Sequence, residues 1–259
     1  MNALPGTVNA CLITDALRRC GALHSGAVRD VAIESSRDTI LSRIARLRLK
    51  FEGDAGHPPQ TLILKTGRPG GHGGRWMAGR QEVAFYRDVA ATMTQRLVPR
   101  CLAAHWDEAT EDWHLLLEDL GESHYIATAW PLPPTLPQCE YIIGTLARFH
   151  ACWWNDGRLG ASIGTLRDDA AIARLLQDLT RHFPSLADAL PRERRLVYER
   201  LFATGAPLLK RSYAQSNLTI LHGDAHVWNC FLPHDGGADV RLFDWDGWRV
   251  GVAQPISPT

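Results

Sequence analysis

The sequence of 259 residues has no charge excess: 28 lysines and arginines balance 28 aspartates and glutamates. Binding to nucleic acid or to an anionic membrane surface draws on a basic excess, so neither partner is expected. A long apolar run is also missing, and no segment is expected to span a membrane. The opening, MNALPGTVNACLITDAL, lacks the basic stretch and apolar core of a secretory signal. Cysteine is sparse and scattered. Cys11, Cys20, Cys101, Cys139, Cys152 and Cys230 form no CxxC pair and stand at irregular gaps, which argues against a zinc site or disulfide framework and for a reduced, cytoplasmic chain. Repeats and low-complexity tracts are absent.

What is present is ordinary for a soluble globular protein: 45% hydrophobic and 22% charged residues, enough to bury a core in one large or two small domains. The first part reads as strands with one helix. Val31 to Glu34, Ile44 to Phe51 and Thr61 to Lys65 have strand patterns, with a turn at Gly53 to Pro59. Residues 67–74 are glycine-rich and read as a connector. A helix is expected from Ala78 to Thr92, then strands at Cys101 to Trp106 and Trp113 to Glu118. Pro131, Pro133, Pro134 and Pro137 mark a boundary. Beyond it the pattern becomes helical, over Gln138 to Trp154, Asp168 to His182 and Arg192 to Ala203. Short strands return at Asn229 to Leu232 and Val240 to Phe243. The expectation is a strand-rich lobe over residues 1–120 and a helical lobe over 121–259.

The chemistry concentrates in LHGDAHVWNCFLPHDGGADVRLFDWD, from Leu221 to Asp246. It holds His222-x-Asp224-x4-Asn229, a hairpin, and Asp244 after an apolar strand. Each can be read plainly, Asp224 and Asn229 as loop caps and Asp244 as a strand-end carboxylate. Phosphoryl transfer, however, needs these groups together. One carboxylate orients the attacking hydroxyl and accepts its proton, while a carboxamide and a second carboxylate hold Mg²⁺ on the triphosphate. Asp246 and His226 have no assigned role at this level: a second ligand or a turn for the one, a phosphate contact or loop packing for the other. A rival reading takes His222, Asp224 and His226 as the metal ligands of a hydrolase. It leaves Asn229, Lys65 and Glu82 unexplained.

The spacing resembles the aminoglycoside phosphotransferase and choline kinase superfamily, whose members carry HGDxxxxN followed by a DW or DF pair. The match is nearest to its bacterial and ecdysteroid-kinase-like branch, whose matching helix LARFHACWW (Leu146 to Trp154) resembles. The resemblance implies an α+β, two-lobed protein-kinase-like fold, with an antiparallel-sheet N-lobe that binds nucleotide and a mainly helical C-lobe that carries the catalytic loop and metal site. It implies Asp224 as catalytic base, Asn229 and Asp244 as Mg²⁺ ligands, and His222 as support for the loop. The same template calls for a strand lysine paired with a helix glutamate, and Lys65 and Glu82 fit in type and order. HLLLEDL (His114 to Leu120) is similar to the hinge, so the backbone from Glu118 to Leu120 is expected at the adenine. Ser35 and Ser36, in a turn spanning residues 34–39, would cover the phosphates. The implied reaction moves the γ-phosphoryl of ATP, or GTP, to a hydroxyl of a small-molecule acceptor.

Three departures stand out. The turn at residues 34–39 has no glycine. Residues 67–74 do not form GxxxxGK[ST] and so are no P-loop. The chain stops at Thr259, soon after Asp244, where relatives continue with helices that shape the acceptor site. A truncated or non-catalytic nucleotide-binding protein of the same fold is therefore the alternative. HGD in place of HRD, with no DFG or APE motif, points away from protein substrates.

Overall fold

The computed structural model describes residues 4–68, 78–127, 133–166, 169–187, 189–204 and 216–253. Most of the glycine-rich connector, Pro131, Asp168 and the last six residues lie outside these. The chain divides into two compact units, one of residues 1–147 with 222–248, the other of residues 148–221 with 249–259.

The first unit is built on a five-stranded antiparallel sheet. Its strands are β1 (Ala27–Asp38), β2 (Ser42–Glu52), β3 (Thr61–Gly67), β4 (Cys101–Trp106) and β5 (Trp113–Glu118), in the order β1-β2-β3-β5-β4. A helix with no counterpart in the sequence reading, α1 (Ala10–Arg19), precedes them. Asn9 caps it by accepting the Leu12 N–H at 3.0 Å. Ile13, Ala16 and Leu17 recur at i, i+3 and i+4, so one stripe turns inward. That stripe packs with Leu47, Leu49, Leu62, Leu64 and Leu116 of the sheet in one apolar cluster.

Strand β1 is longer than its apolar pattern predicts. Its charged residues pair across to β2 instead of breaking the strand: Asp38 with Arg43, Glu34 with Arg48 and Asp30 with Lys50. Ser35 and Ser36, expected in a turn, lie inside β1 opposite Arg46 and Ala45. The turn falls at Thr39–Ser42, where the Thr39 hydroxyl accepts the Ser42 N–H at 3.0 Å and the Thr39 N–H reaches the Ser42 carbonyl at 2.7 Å. A threonine and a serine close this hairpin without glycine.

Helix α2 (Ala78–Ala84) continues as a wider π-helical segment over Phe85–Val89 and a tight turn at Ala90–Thr92. Next come β6 (His124–Ile126) and α3 (Leu136–Cys152). Two strands from the distal sequence, β8 (Cys230–Pro233) and β9 (Arg241–Leu242), join β6 in a small antiparallel sheet of order β6-β8-β9. The second unit contains α4 (Asp169–Ala187), α5 (Arg192–Thr204) and an antiparallel pair, β7 (Leu218–Leu221) with β10 (Arg249–Val252). Phe183 of α4 meets Phe202 of α5 edge-on, with ring centroids 5.1 Å apart. Strands β6, β7 and β10 were not expected. Each has three or four residues, too few for periodicity to register. Among the described residues, no helix is long and apolar enough to cross a membrane.

Candidate active site

Lys65 stands in β3 with its chain drawn across to α2. Its Nζ lies 2.7 Å from a Glu82 carboxylate oxygen and 2.6 Å from Asp244 Oδ1. One ammonium is thus shared by two carboxylates, 179 residues apart in the case of Asp244. Burial disfavours the lysine charge, but Glu82 and Asp244 outweigh it and hold the ammonium above its ordinary range. Burial pushes the Glu82 carboxyl up, with Lys65 acting against it. Lys65 and Glu82 are buried together, while the Asp244 side chain stays 38% exposed toward the cavity, so the Lys65 ammonium is what lets the Glu82 carboxylate remain buried with its charge.

Helix α2 is tied to the Asp244 segment at two points. Phe85 stacks on Trp245, with centroids 4.0 Å apart and planes 4° from parallel. Gln81 and Trp248 exchange reciprocal hydrogen bonds at 2.8 and 2.7 Å. These contacts hold Glu82 and Asp244 to the same side of Lys65. Trp245 and Trp248 are therefore packing residues. Asp244 itself adopts the left-handed conformation, with φ 68° and ψ 64°. Aspartate is one of the few L-residues that visits this region without large cost, and the kink turns its carboxylate back toward Lys65.

The loop from His222 to Asn229 is fastened to the same segment. His222 Nε2 donates to the Phe243 carbonyl at 2.9 Å, and its Nδ1 accepts the Asp224 N–H at 3.4 Å. Both ring nitrogens are engaged, which fixes a neutral tautomer, and burial pushes the imidazole below its ordinary range. A histidine used this way has no lone pair to give a metal, which removes the first ligand of the metallohydrolase reading. Asn229 is buried and its Nδ2 donates to the Asp224 carbonyl at 3.0 Å. Since the amide nitrogen is committed, Oδ1 is the atom a cation would use. The Asn229 carbonyl accepts the Phe243 N–H at 3.0 Å, so the residue before Asp244 is bonded directly to Asn229.

Asp224, Asp244, Asp246, Lys65 and Glu82 line one cavity of about 510 Å³. That falls within the ~300–1,000 Å³ typical of small-molecule sites. Its wall is completed by Trp113, Gly79 and the β1–β2 turn, Thr39 to Ser42. The sequence reading left Asp246 open and missed Trp113, Gly79 and the turn residues, none of which belongs to a motif. Asp246 is half-buried, and burial together with Asp244 raises its carboxyl. Two sets of expected residues lie elsewhere. Ser35 and Ser36 are not at the cavity, because the turn comes three residues later. Glu118 and Leu120 do not line it either. The Glu118 N–H is donated to the Arg100 carbonyl at 2.9 Å, and the Leu120 carbonyl accepts from Ser123 and His124 at 3.0 and 2.8 Å.

Residues 36–154 match the model of the ecdysteroid kinase-like family. Several solved structures share the fold over most of this chain. An aminoglycoside-3'-phosphotransferase of type VIII has TM-score 0.50 and 20% identity, covering 93% of this chain and 78% of its own. A putative aminoglycoside phosphotransferase from Ralstonia eutropha JMP134 has TM-score 0.55 and 16% identity, covering 93% and 65%. The chain shares the fold of these aminoglycoside phosphotransferases. A thermostable mutant of the aminoglycoside phosphotransferase APH(4)-Ia, in ternary complex with ADP and hygromycin B, has TM-score 0.51 and 10% identity, covering 91% and 70%. No curated protein matches in sequence. The family match and the neighbours fit the superfamily that the HGDxxxxN spacing suggests. The chain spans less than two thirds of the length of the Ralstonia protein.

The phosphotransferase fold accounts for how the site is partitioned. Strand β3 supplies the Lys65 ammonium and α2 the Glu82 carboxylate, while the segment 222–248 supplies Asp224, Asp244 and Asn229. For Mg²⁺, the donor chemistry fits. Asp244 and Asn229 offer hard oxygens, and this ion commonly takes one or two protein ligands with water and phosphate completing its shell.

Proposed function

We propose that this protein transfers the γ-phosphoryl group of ATP, or GTP, to a hydroxyl of a small-molecule acceptor. The observation that carries the reading is the convergence of Lys65, Glu82, Asp224 and Asp244 on one cavity. Lys65, held by Glu82, binds the α- and β-phosphates. Asn229 and Asp244 would hold Mg²⁺, which would supply charge neutralisation for the triphosphate. Asp224, with a side chain 58% exposed, has room to meet an acceptor. It orients the hydroxyl in line with the γ-phosphorus and takes its proton as the new P–O bond forms and the bond to the nucleoside diphosphate breaks. His222 keeps the loop in register with Asp244. The adenine is placed near the Glu118–Leu120 stretch, where atoms other than the Glu118 N–H and Leu120 carbonyl must meet it. The ligands of one structural neighbour, ADP and hygromycin B, support a nucleotide with a polyhydroxylated acceptor as the first pair to test.

The decisive experiment compares wild type with Asp224→Ala in a coupled assay for nucleoside diphosphate release over a panel of hydroxylated acceptors. Turnover is expected to fall about 10²–10⁴-fold, the usual contribution of a general base, with Mg²⁺-nucleotide affinity nearly unchanged. Full turnover in the variant would overturn the assignment.

A further inference from the structure

A second cavity of the first unit lies apart from the one that holds Lys65 and Asp224. It measures about 1030 Å³ and is bounded by α1, the Phe85–Thr92 segment, β4 and the loop that precedes it. Two features set it apart from a solvated groove. The first is its charge. Arg19, Arg87, Arg96, Arg100 and Arg241 contribute to its lining, against a single acidic residue, Glu118. Three of these arginines have protein partners: Arg87 pairs with Asp88, Arg241 with Asp239, and Arg100 donates to the Cys20 carbonyl. Arg19 and Arg96 make no ion pair among the described residues.

The second feature lies deeper. Tyr86 and His114 also line this cavity, each only 2% exposed. The Tyr86 hydroxyl and His114 Nε2 are buried without a hydrogen-bond partner among the described residues. Leaving a buried polar atom unsatisfied is costly, so two beside one cavity call for a ligand or ordered solvent that satisfies them. Burial, with His105 acting the same way, lowers the His114 imidazole to about 4, so it is neutral and offers one ring nitrogen as donor or acceptor. Apolar Leu12, Val98 and Leu102 share the lining.

The geometry points to a second ligand site here, for a small molecule bearing at least two anionic groups, carboxylate or phosphate, with Arg19 and Arg96 at the anions and Tyr86 and His114 contacting the body of the ligand. Guanidinium groups suit both kinds of anion because their paired N–H donors match paired oxygens. Apart from Glu118, whose stretch is placed near the adenine, this site uses none of the residues assigned to phosphoryl transfer, and the variants that test it leave those residues intact.

The test is calorimetric titration of the full chain with citrate and, separately, with pyrophosphate, both without divalent metal. Saturable binding by either establishes the anion site, and which of the two binds tells carboxylate from phosphate. The double variant Arg19→Ala with Arg96→Ala is expected to bind about 10-fold more weakly or worse. Removing the same charge elsewhere, with Arg29→Ala and Arg192→Ala, is expected to leave the affinity unchanged. Tyr86→Phe is expected to weaken binding while leaving the melting temperature of the free protein equal or higher, since it deletes an unsatisfied hydroxyl. No binding of either anion at millimolar concentration overturns the proposal. So does equal loss in both double variants, or unchanged affinity in Tyr86→Phe.

Discussion

Lys65 is the residue on which the site's electrostatics turn. Its ammonium pairs with the Glu82 carboxylate, which is 2% exposed, and also holds Asp244. Replacing it with methionine keeps the volume but strands a buried acid. Breaking such a pair by removing one member costs about 3–5 kcal/mol. The loss is predicted to depend on pH. Burial already raises the Glu82 carboxyl above its ordinary value, and without the cation nothing opposes the rise. A carboxyl raised in the folded state leaves stability intact below its unfolded value and removes it as pH climbs through the folded value. Lys65→Met is therefore expected to melt much closer to wild type at pH 5 than at pH 8, as read by thermal denaturation across that range. An equal deficit at both pH values would mean Glu82 finds another partner.

Among the elements, α2 has the tightest positional requirement. A Cβ on Gly79 would come 2.2 Å from Nε1 of the Trp113 ring, where no real contact exists. The absence of a side chain is what lets the helix approach β5, and the approach brings Glu82 within reach of Lys65. Gly79→Ala is expected to cost about 1–3 kcal/mol, the range for overpacking, despite alanine's better helix propensity. Because the helix must shift to relieve the clash, nucleotide affinity is expected to fall as well, which titration would detect. The elements also show where sequence legibility ended. Strands β4 and β5 were read at their observed limits because each is a short, largely apolar run and a clear acidic turn separates them. β1 was cut short because five of its 12 residues are charged, and only the facing strand explains why such residues remain extended. The turn expected at Ser35 and Ser36 moved to Thr39–Ser42 for the same reason: cross-strand ion pairs carry the strand through Asp38.

For the whole molecule, the fold and the proposed reaction together predict linkage between nucleotide, Mg²⁺ and stability. A ligand that binds only the folded state adds RT ln(1 + [L]/Kd), about 2.7 kcal/mol at one hundred times Kd. Saturating ATP with Mg²⁺ is expected to raise the melting temperature, and excess chelator to abolish most of the rise. Asp244→Ala should abolish the Mg²⁺-dependent part while keeping whatever the nucleotide contributes alone. The motif residues were legible because phosphoryl transfer restricts them to few chemical types at set intervals: a carboxylate and an amide at the ends of one short loop, and a second carboxylate after an apolar strand. The lysine and glutamate were legible only through their order along the chain, since a strand ending in lysine is commonplace. Sequence alone thus determined which groups carry charge, which segments are strand or helix where periodicity is strong, and the likeness to kinase-fold phosphotransferases. Tertiary structure decided that Lys65 bridges Glu82 and Asp244, that Thr39–Ser42 and Trp113 wall the cavity, and that Glu118, Leu120, Ser35 and Ser36 do not. The reason is physical: local patterns record what each residue does with its near neighbours, whereas the cavity joins groups as distant in sequence as Lys65 and Asp244, 179 residues apart, and only packing brings these together.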